Sequence, residues 1–515
     1  MTIPVGTNKT RRLSRLLRVF AVGAVVVTAS AGCSAQAENP ASGTDGRILK
    51  VGIAGDSAGT TLDPHALYDT FGTVFANTFF EQLGEFDENG EYRNVLAASF
   101  TPNDDATSWQ LTLKDGVTFH DGDPLTSEDV IFSFERVMDP ATAAVNLSAT
   151  AVIEEMTKID DLTVRFDLLR PVASFPEIIA AANAMGIVEP DFDPKHPVST
   201  GPWVFESFGA NGMLVLARSE HYHGTAPALA GLELVALPDD DARTNALLTG
   251  QIDADLSLQP SQVARFDDLQ KLSVLELPAG GIQMITMRVD EGVTADARVR
   301  QALRLSVDRQ RVLDVAFGGF GRIGNDLYGI DDPAFRSDLV RERDVDAAKK
   351  LIKEAGVEGA ELTLVTLASV EPIAQIVAQN AQEIGLDVTV QVKDDTTFYA
   401  QGYLDYQFAV DNWPGSTILN VASMTDAPGA SLPYTHMNDA EFNEAFESAM
   451  ASTDADVRTE ALSTMQEILF ERGGFIIPAI GSTLAAVPAN TTGWPTGDPS
   501  GLGLYRALKD VSFTS

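Results

Sequence analysis

Residues 109–134 read WQLTLKDGVTFHDGDPLTSEDVIFSF, and several local signals in this stretch agree. Trp109, Leu111 and Leu113 alternate with polar residues, the pattern of a half-buried strand. Lys114-Asp115-Gly116 supplies a turn, and Val117 and Phe119 continue as a second strand. His120-Asp121-Gly122-Asp123-Pro124 then breaks the pattern. Thr126 stands where an N-cap accepts a backbone N–H, Glu128 and Asp129 suit the positive end of a helix dipole, and Val130, Ile131 and Phe134 form the apolar face. The expectation is a hairpin followed by a capped helix, a β-β-α module with a packed seam.

Working back to the start, Lys9, Arg11, Arg12, Arg15 and Arg18 precede an apolar stretch, Val19 to Thr28, that is too short to span a bilayer. Small residues follow up to Cys33, so residues 1–32 read as an export signal. Ser30-Ala31-Gly32-Cys33 has the form of a bacterial lipobox, with Ser30 where an aliphatic residue is commoner. Cys33 is the only cysteine of the chain and is expected to carry lipid. Acyl chains contribute about 0.8 kcal/mol per buried CH2, so two or more would hold the protein on the outer face of the cell membrane without a spanning helix. Thr10-Arg11-Arg12 carries a pair of arginines, but Ser14 stands where a twin-arginine signal wants a large apolar residue; the expected route is general secretion. Residues 33–47 are small, polar and Gly/Pro-containing, as suits a tether.

Removing residues 1–32 leaves 483 residues, enough for at least two domains with cores of their own. The five cations of the signal leave as well, so 31 Lys and Arg face 73 Asp and Glu, a formal charge of −42. Nucleic acid is excluded as a partner, because phosphate binding needs clustered cations. With no cysteine left to pair, stability must come from burial, for which 44% hydrophobic residues suffice.

Two patterns suggest other chemistry. Leu49, Val51 and Ile53 alternate as a strand and run into Gly55-Asp56-Ser57-Ala58-Gly59, which has the spacing of a hydrolase nucleophile elbow and would suit a surface-anchored serine esterase. An elbow serine must be followed at once by a helix, whereas Thr60-Thr61-Leu62-Asp63-Pro64 has β-branched residues and a proline. His221 and His223 have a metal-pair spacing, but no third ligand lies nearby, and a structural role is expected.

Further along the chain, other stretches carry a resemblance. Thr61-Leu62-Asp63-Pro64 follows the first strand; Ser199-Thr200-Gly201-Pro202-Trp203 forms a turn; and Arg218, His221 and Tyr222 follow the strand face Met213-Val215-Ala217. ALLTGQID at 246–253 ends a helical stretch in glycine. DARVRQALRLSVDRQR at 296–311 places Val299, Ala302, Leu303 and Val307 on one helical side, with arginines on the other that read as solvated or paired. Residues 345–356 form a helix stopped by Gly356. Together with 109–134, and in this order over roughly residues 48–480, these stretches resemble the extracytoplasmic solute-binding proteins of ABC importers, in the peptide and nickel class.

That resemblance implies a bilobal α/β periplasmic-binding-protein-like fold, with two hinge crossings and an extra subdomain in the first lobe. The lobes would run 48–281, with the subdomain at about 92–195, then 282–486, with a return at 487–515 and crossings marked by Gly280-Gly281 and Pro488. Independently, Leu362-Leu364-Thr366, Ile373 to Glu383 and Val388-Val390-Val392 read as β-α-β. The resemblance also implies capture rather than catalysis: a solute touching both lobes favours a closed form, which then docks on an importer permease. Moving such an equilibrium from 1:99 to 99:1 takes about 5.5 kcal/mol of differential binding. No cofactor, no metal and no enzymatic activity are expected, and the protein should be monomeric.

Peptide-binding members often carry W-x-G-D, whose aspartate pairs with a peptide ammonium. This chain has Trp413-Pro414-Gly415-Ser416, and a hydroxyl cannot neutralise a buried ammonium. Either Asp411 takes that role or the ligand presents no free amino terminus there. The resemblance thus implies Thr61, Leu62, Asp411, Asn412, Trp413 and Ser416 as ligand-binding residues. The solute would be a short peptide or a related amino-acid-derived molecule, with a sugar oligomer, a metal chelate or an opine as the alternative.

Overall fold

The computed structural model describes residues 46–55, 60–66, 69–144, 147–182, 185–266, 269–278, 281–400, 402–413, 416–497 and 501–514, with Asn412 described by its backbone alone. The expected signal, Cys33, most of the tether, Ser57, Gly280, Pro414 and Gly415 lie outside the described residues.

Two mixed sheets carry the architecture. In the first, the strands follow the spatial order Leu272–Leu277, Thr483–Pro488, Ala254–Asp255, Ile48–Ile53, Gly231–Ala236, Met213–Arg218 and Trp203–Phe208. Ile48–Ile53 lies parallel to both of its neighbours, with Leu49, Val51 and Ile53 fully buried as their alternation demands. The second sheet orders Gly321–Ile323, Ala479–Gly481, Ile282–Met287, Phe408–Trp413, Glu361–Leu367 and Asp387–Lys393, with Phe475–Ile476 also pairing Ile282–Met287. Glu361–Leu367 and Asp387–Lys393 are parallel and joined by the helix Glu371–Glu383, the crossover that the sequence predicts.

The chain passes between the sheets twice. It leaves Leu272–Leu277 and enters Ile282–Met287 by way of Gly281, then returns from Ala479–Gly481 into Thr483–Pro488 through Ser482. The return crossing is therefore at Ser482; Pro488 instead ends a strand inside the first sheet, paired with Leu272. The Gly481 N–H donates to the Gly281 carbonyl at 3.2 Å, so the two crossings are laced side by side.

A separate four-stranded antiparallel sheet, Ala97–Pro102, Ser108–Leu113, Thr163–Leu168 and Ile153–Asp160 in spatial order, forms the subdomain. Trp109 is buried in it and donates its indole N–H to the Val172 carbonyl at 2.9 Å. The helix Ser127–Met138 begins as predicted: Asp129 accepts the Thr126 N–H at 2.7 Å and Thr126 Oγ1 accepts the Glu128 N–H at 3.3 Å. The predicted second hairpin strand does not form. Ser108–Leu113 takes its partners from 97–102 and 163–168, and Val117 and Phe119 lie in a loop pinned by a lone bridge between Thr118 and Pro124.

The stretch 296–311 is two helices, Ala297–Ser306 and Arg309–Phe317, because Asp308 starts a new one by accepting the Arg311 N–H at 3.0 Å. Two of its arginines depart from the solvated or paired face expected: Arg300 and Arg304 are buried against backbone carbonyls, while Arg309, also buried, is paired. Arg300 donates to the carbonyls of Arg472 at 2.8 Å and Gly473 at 3.2 Å, and Arg304 to those of Phe475 at 2.9 Å and Gly473. The helix Ala455–Arg472 ends at these carbonyls, so the guanidiniums satisfy acceptors that a helix terminus leaves open. Burial pushes Arg304 down to about 9. Arg309 makes a bidentate pair with Asp326 at 2.7 Å, and Arg341 reaches the same carboxylate at 2.6 Å.

Candidate functional site

The residues that follow the first strand are held from outside their own loop. Asp63 takes a bidentate contact from Arg136 of the helix Ser127–Met138, at 2.8 Å for one oxygen. Arg136 also donates to His65 Nδ1 at 2.7 Å, while His65 Nε2 donates to the Gly186 carbonyl at 2.8 Å. That pattern fixes a neutral imidazole, and burial pushes His65 down to about 4. Thr61 accepts the Asp63 N–H at 3.1 Å, and Leu62 is buried. Both line an open cavity of about 640 Å3 with Pro194, Lys195, His196 and Phe205 to Phe208.

A second cavity, of about 390 Å3, lies where subdomain and second-lobe elements meet, within the range usual for small solutes. One wall is the turn Gly90-Glu91-Tyr92 with Phe86, joined by Ser174, Glu177 and Ile178 at the start of the helix Phe175–Ala181. The other wall is Asp332 to Ala334, Thr417, Leu419 and Asn420, and Arg458, Thr459 and Leu462 of the helix Ala455–Arg472. Across the gap Arg458 faces Glu177 at 3.4 Å. Beside it the Ala173 N–H donates to the Met450 carbonyl at 2.6 Å, and one apolar cluster runs from Phe175 and Ile179 to Met450 and Leu462.

Polar groups line part of the groove. Asp332 accepts the N–H groups of Ala334 at 2.9 Å and Ile418 at 3.1 Å, and its burial raises its carboxyl above the usual range. The Tyr92 hydroxyl is buried without a hydrogen-bond partner among the described residues, and burial raises its phenol. An adjoining recess adds Ser416, Asp331 and Ala181. Ser416 Oγ accepts from Asn420 Nδ2 at 2.7 Å, and Asp331 is paired bidentately with Arg322 at 2.7 Å.

The expected ligand residues are therefore spread over three places. Ser416 faces the groove; Thr61 and Leu62 face the other cavity. Asp411 and Trp413 sit on the strand Phe408–Trp413, where Asp411 is 2% exposed and accepts the Tyr399 hydroxyl at 2.7 Å. Trp413 meets Tyr434 edge-on at 6.2 Å, and Tyr434 leads through Tyr403 to Tyr399. Glu177, Arg458, Tyr92, Asp332 and Asn420 had no local signal: Glu177 and Arg458 are 281 positions apart and meet only through the fold. His223 pairs with Glu81 at 2.8 Å, the structural role that the sequence predicts.

A bilobal α/β frame with a solute-sized groove between its parts is the architecture of periplasmic binding proteins. Residues 91–429 match the family described as bacterial extracellular solute-binding proteins, family 5, and the chain belongs to it. Its members serve ABC importers as binding components and are not enzymes. Protein XP55 of Streptomyces lividans is 30% identical over 360 residues, 68% of this chain and 65% of that protein. The glutathione-binding protein GsiB of Salmonella paratyphi A is 24% identical, covering 86% of this chain and 91% of its own. The periplasmic binding protein DppA of Helicobacter pylori, solved with the peptide STSA, superposes with a TM-score of 0.73 at 21% identity, over 91% of this chain and 98% of that one.

Proposed function

We propose that this chain is a lipoprotein, anchored through Cys33 to the outer face of the cell membrane, that captures a short peptide or related amino-acid-derived solute and delivers it to an importer permease as a monomer. The observation that carries the reading is the groove between Glu177 and Arg458. Its walls offer carboxylates (Glu91, Glu177, Asp332) and a guanidinium within one cavity, the complement of a zwitterion with its ammonium and carboxylate a few bonds apart. GsiB, named for a tripeptide, and DppA, solved with a tetrapeptide, support that class. In this assignment Ser416 and Thr417 select by hydrogen bonding, while Asp411 and Trp413 stiffen the wall from behind.

The test is mass spectrometry of small molecules released on denaturing the purified protein, followed by a thermal-shift titration with the species found. A set of short peptides or one amino-acid conjugate, with affinity reduced about tenfold or more by Arg458→Ala and by Glu177→Gln, is expected. A bound solute whose affinity ignores both substitutions would move the site elsewhere. A non-peptide solute, the second reading, is favoured by Ser416 standing where a carboxylate would receive an ammonium; an uncharged sugar oligomer in the released fraction would establish it.

A further inference from the structure

The antiparallel pair Gly84–Phe86 and Tyr92–Asn94 has two faces. Phe86 and Tyr92, opposite each other, line the groove, whereas the neighbouring pair Glu85 and Arg93 lines a separate cavity of about 370 Å3 behind it. The other walls of that cavity are the end of the helix Thr70–Phe79, Lys114, the stretch Tyr222 to Thr225, and the C-terminal residues Arg506, Lys509 and Asp510. Four cations, Arg93, Lys114, Arg506 and Lys509, meet three carboxylates there, Glu81, Glu85 and Asp510. In a chain with 36 Lys and Arg against 73 Asp and Glu, that reverses the prevailing sign.

The carboxylates are already answered within the fold. Glu81 accepts the Thr200 hydroxyl at 2.8 Å and the Tyr222 hydroxyl at 2.9 Å, Glu85 pairs with Arg93, and Asp510 stands 3.4 Å from Lys509. Lys114 is left over: its half-buried ammonium has neither hydrogen bond nor ion pair among the described residues. A second observation falls in the same wall. Gln82 is 8% exposed, and its Oε1 is buried without a hydrogen-bond partner among the described residues. Backbone bonds set the two close together, the Leu96 N–H donating to the Gln82 carbonyl at 3.2 Å and the Lys114 N–H to the Leu96 carbonyl at 2.9 Å. An amide oxygen cut off from water and given no donor is destabilising, and a donor on a bound molecule removes that penalty.

We propose that this cavity is a second ligand site, for a small molecule that carries an oxyanion, phosphate or carboxylate, together with a hydrogen-bond donor. Lys114 takes the oxyanion by a charge-assisted bond, and Gln82 Oε1 accepts the donor. Arg506, seated on Asn77 Oδ1 at 3.0 Å, adds positive charge from the C-terminal wall. Hydrogen phosphate offers both groups in one ion, and a hydroxy acid offers them as carboxylate and hydroxyl. The site is additional to the groove and shares with it only the strand pair 84–86 and 92–94. An occupant would therefore brace Phe86 and Tyr92 from behind.

The test is calorimetric unfolding of the full-length protein at pH 7 with sodium phosphate or sodium malate up to about 20 mM, NaCl holding the ionic strength constant, beside Lys114→Gln and Gln82→Leu. Neither side chain has a hydrogen bond among the described residues that its replacement would lose. With a dissociation constant on the order of 1 mM, the oxyanion that fits should raise Tm saturably by about 2 °C in the wild type and by less than about a quarter of that in Lys114→Gln, with Gln82→Leu in between. The larger shift, with phosphate or with malate, assigns the oxyanion. No saturable shift with either would overturn the site. A shift of equal size in Lys114→Gln would overturn it too, since the effect would then be that of an excluded salt on the whole surface.

Discussion

Asp426 should make the second lobe less stable as pH rises, and replacing it with asparagine should remove that dependence. The carboxyl is 1% exposed and receives hydroxyls from Thr425 at 2.8 Å, Tyr328 at 3.1 Å and Thr435 at 3.0 Å, with no cation against it among the described residues. Burial is the first cause that moves it from 3.8 to about 6, and the three hydroxyls offset only part of it. A folded-state value above the unfolded one means that the fold prefers the protonated group. Its contribution is fully present below the unfolded value, fades as pH rises, and is gone above about 6. The span corresponds to about 3 kcal/mol at 1.36 kcal/mol per pH unit. An asparagine in its place would hold no charge at any pH, and the hydroxyls can rotate to accept its amide hydrogens. Urea denaturation of wild type and Asp426→Asn at intervals from pH 4 to pH 8 measures the effect. The stability difference should shift towards the variant by about 2 to 3 kcal/mol between the ends of that range. Parallel curves would refute the reasoning, because they would mean that the carboxylate is solvated or paired in the fold.

Two further substitutions probe the framework around the site. Arg136→Ala strips Asp63 of its guanidinium and His65 of its donor, and should cost about 3 kcal/mol by chemical denaturation while releasing the loop that carries Thr61 and Leu62. Arg304→Met keeps the volume but abandons the carbonyls of Gly473 and Phe475, and unfolding by guanidinium should show a loss of about 3 kcal/mol; a loss below about 0.5 kcal/mol would mean that water reaches those acceptors.

What the sequence revealed was local. Thr126 and Gly356 mark helix ends because a cap is decided by one or two side chains, and Leu362 to Val392 declares a crossover through its own periodicity. The hairpin expected at 109–119 failed because the Trp109 strand pairs with the strand before it, 97–102, and with one more than 50 positions later, 163–168, and alternation in one strand does not say which neighbour it takes. The arginines at 300 and 304 looked like an outer face because their acceptors, the carbonyls that end a helix about 170 positions later, are invisible in a linear string. The groove was hidden for the same reason: Ser416 could be reached from a motif, whereas Glu177, Tyr92 and Arg458 share nothing until the chain has folded. The aspartate of the Leu62-Asp63-Pro64 motif proved to be an anchor for Arg136, so a motif beside a cleft can mark how the cleft is held.

The strand Thr483–Pro488 lies between Leu272–Leu277 and Ala254–Asp255 in the first sheet. A chain synthesised only as far as the second lobe cannot finish that sheet, because the strand that joins Leu272–Leu277 to the rest does not yet exist. The lobe that begins first is thus completed last, by pairings as distant as Leu272 with Pro488. Contacts of such separation form slowly, since the intervening chain must be ordered before they reward it. The closing of the first sheet therefore waits on residues 483–488, and a chain that stops short of them leaves Leu272–Leu277 without the strand it pairs with.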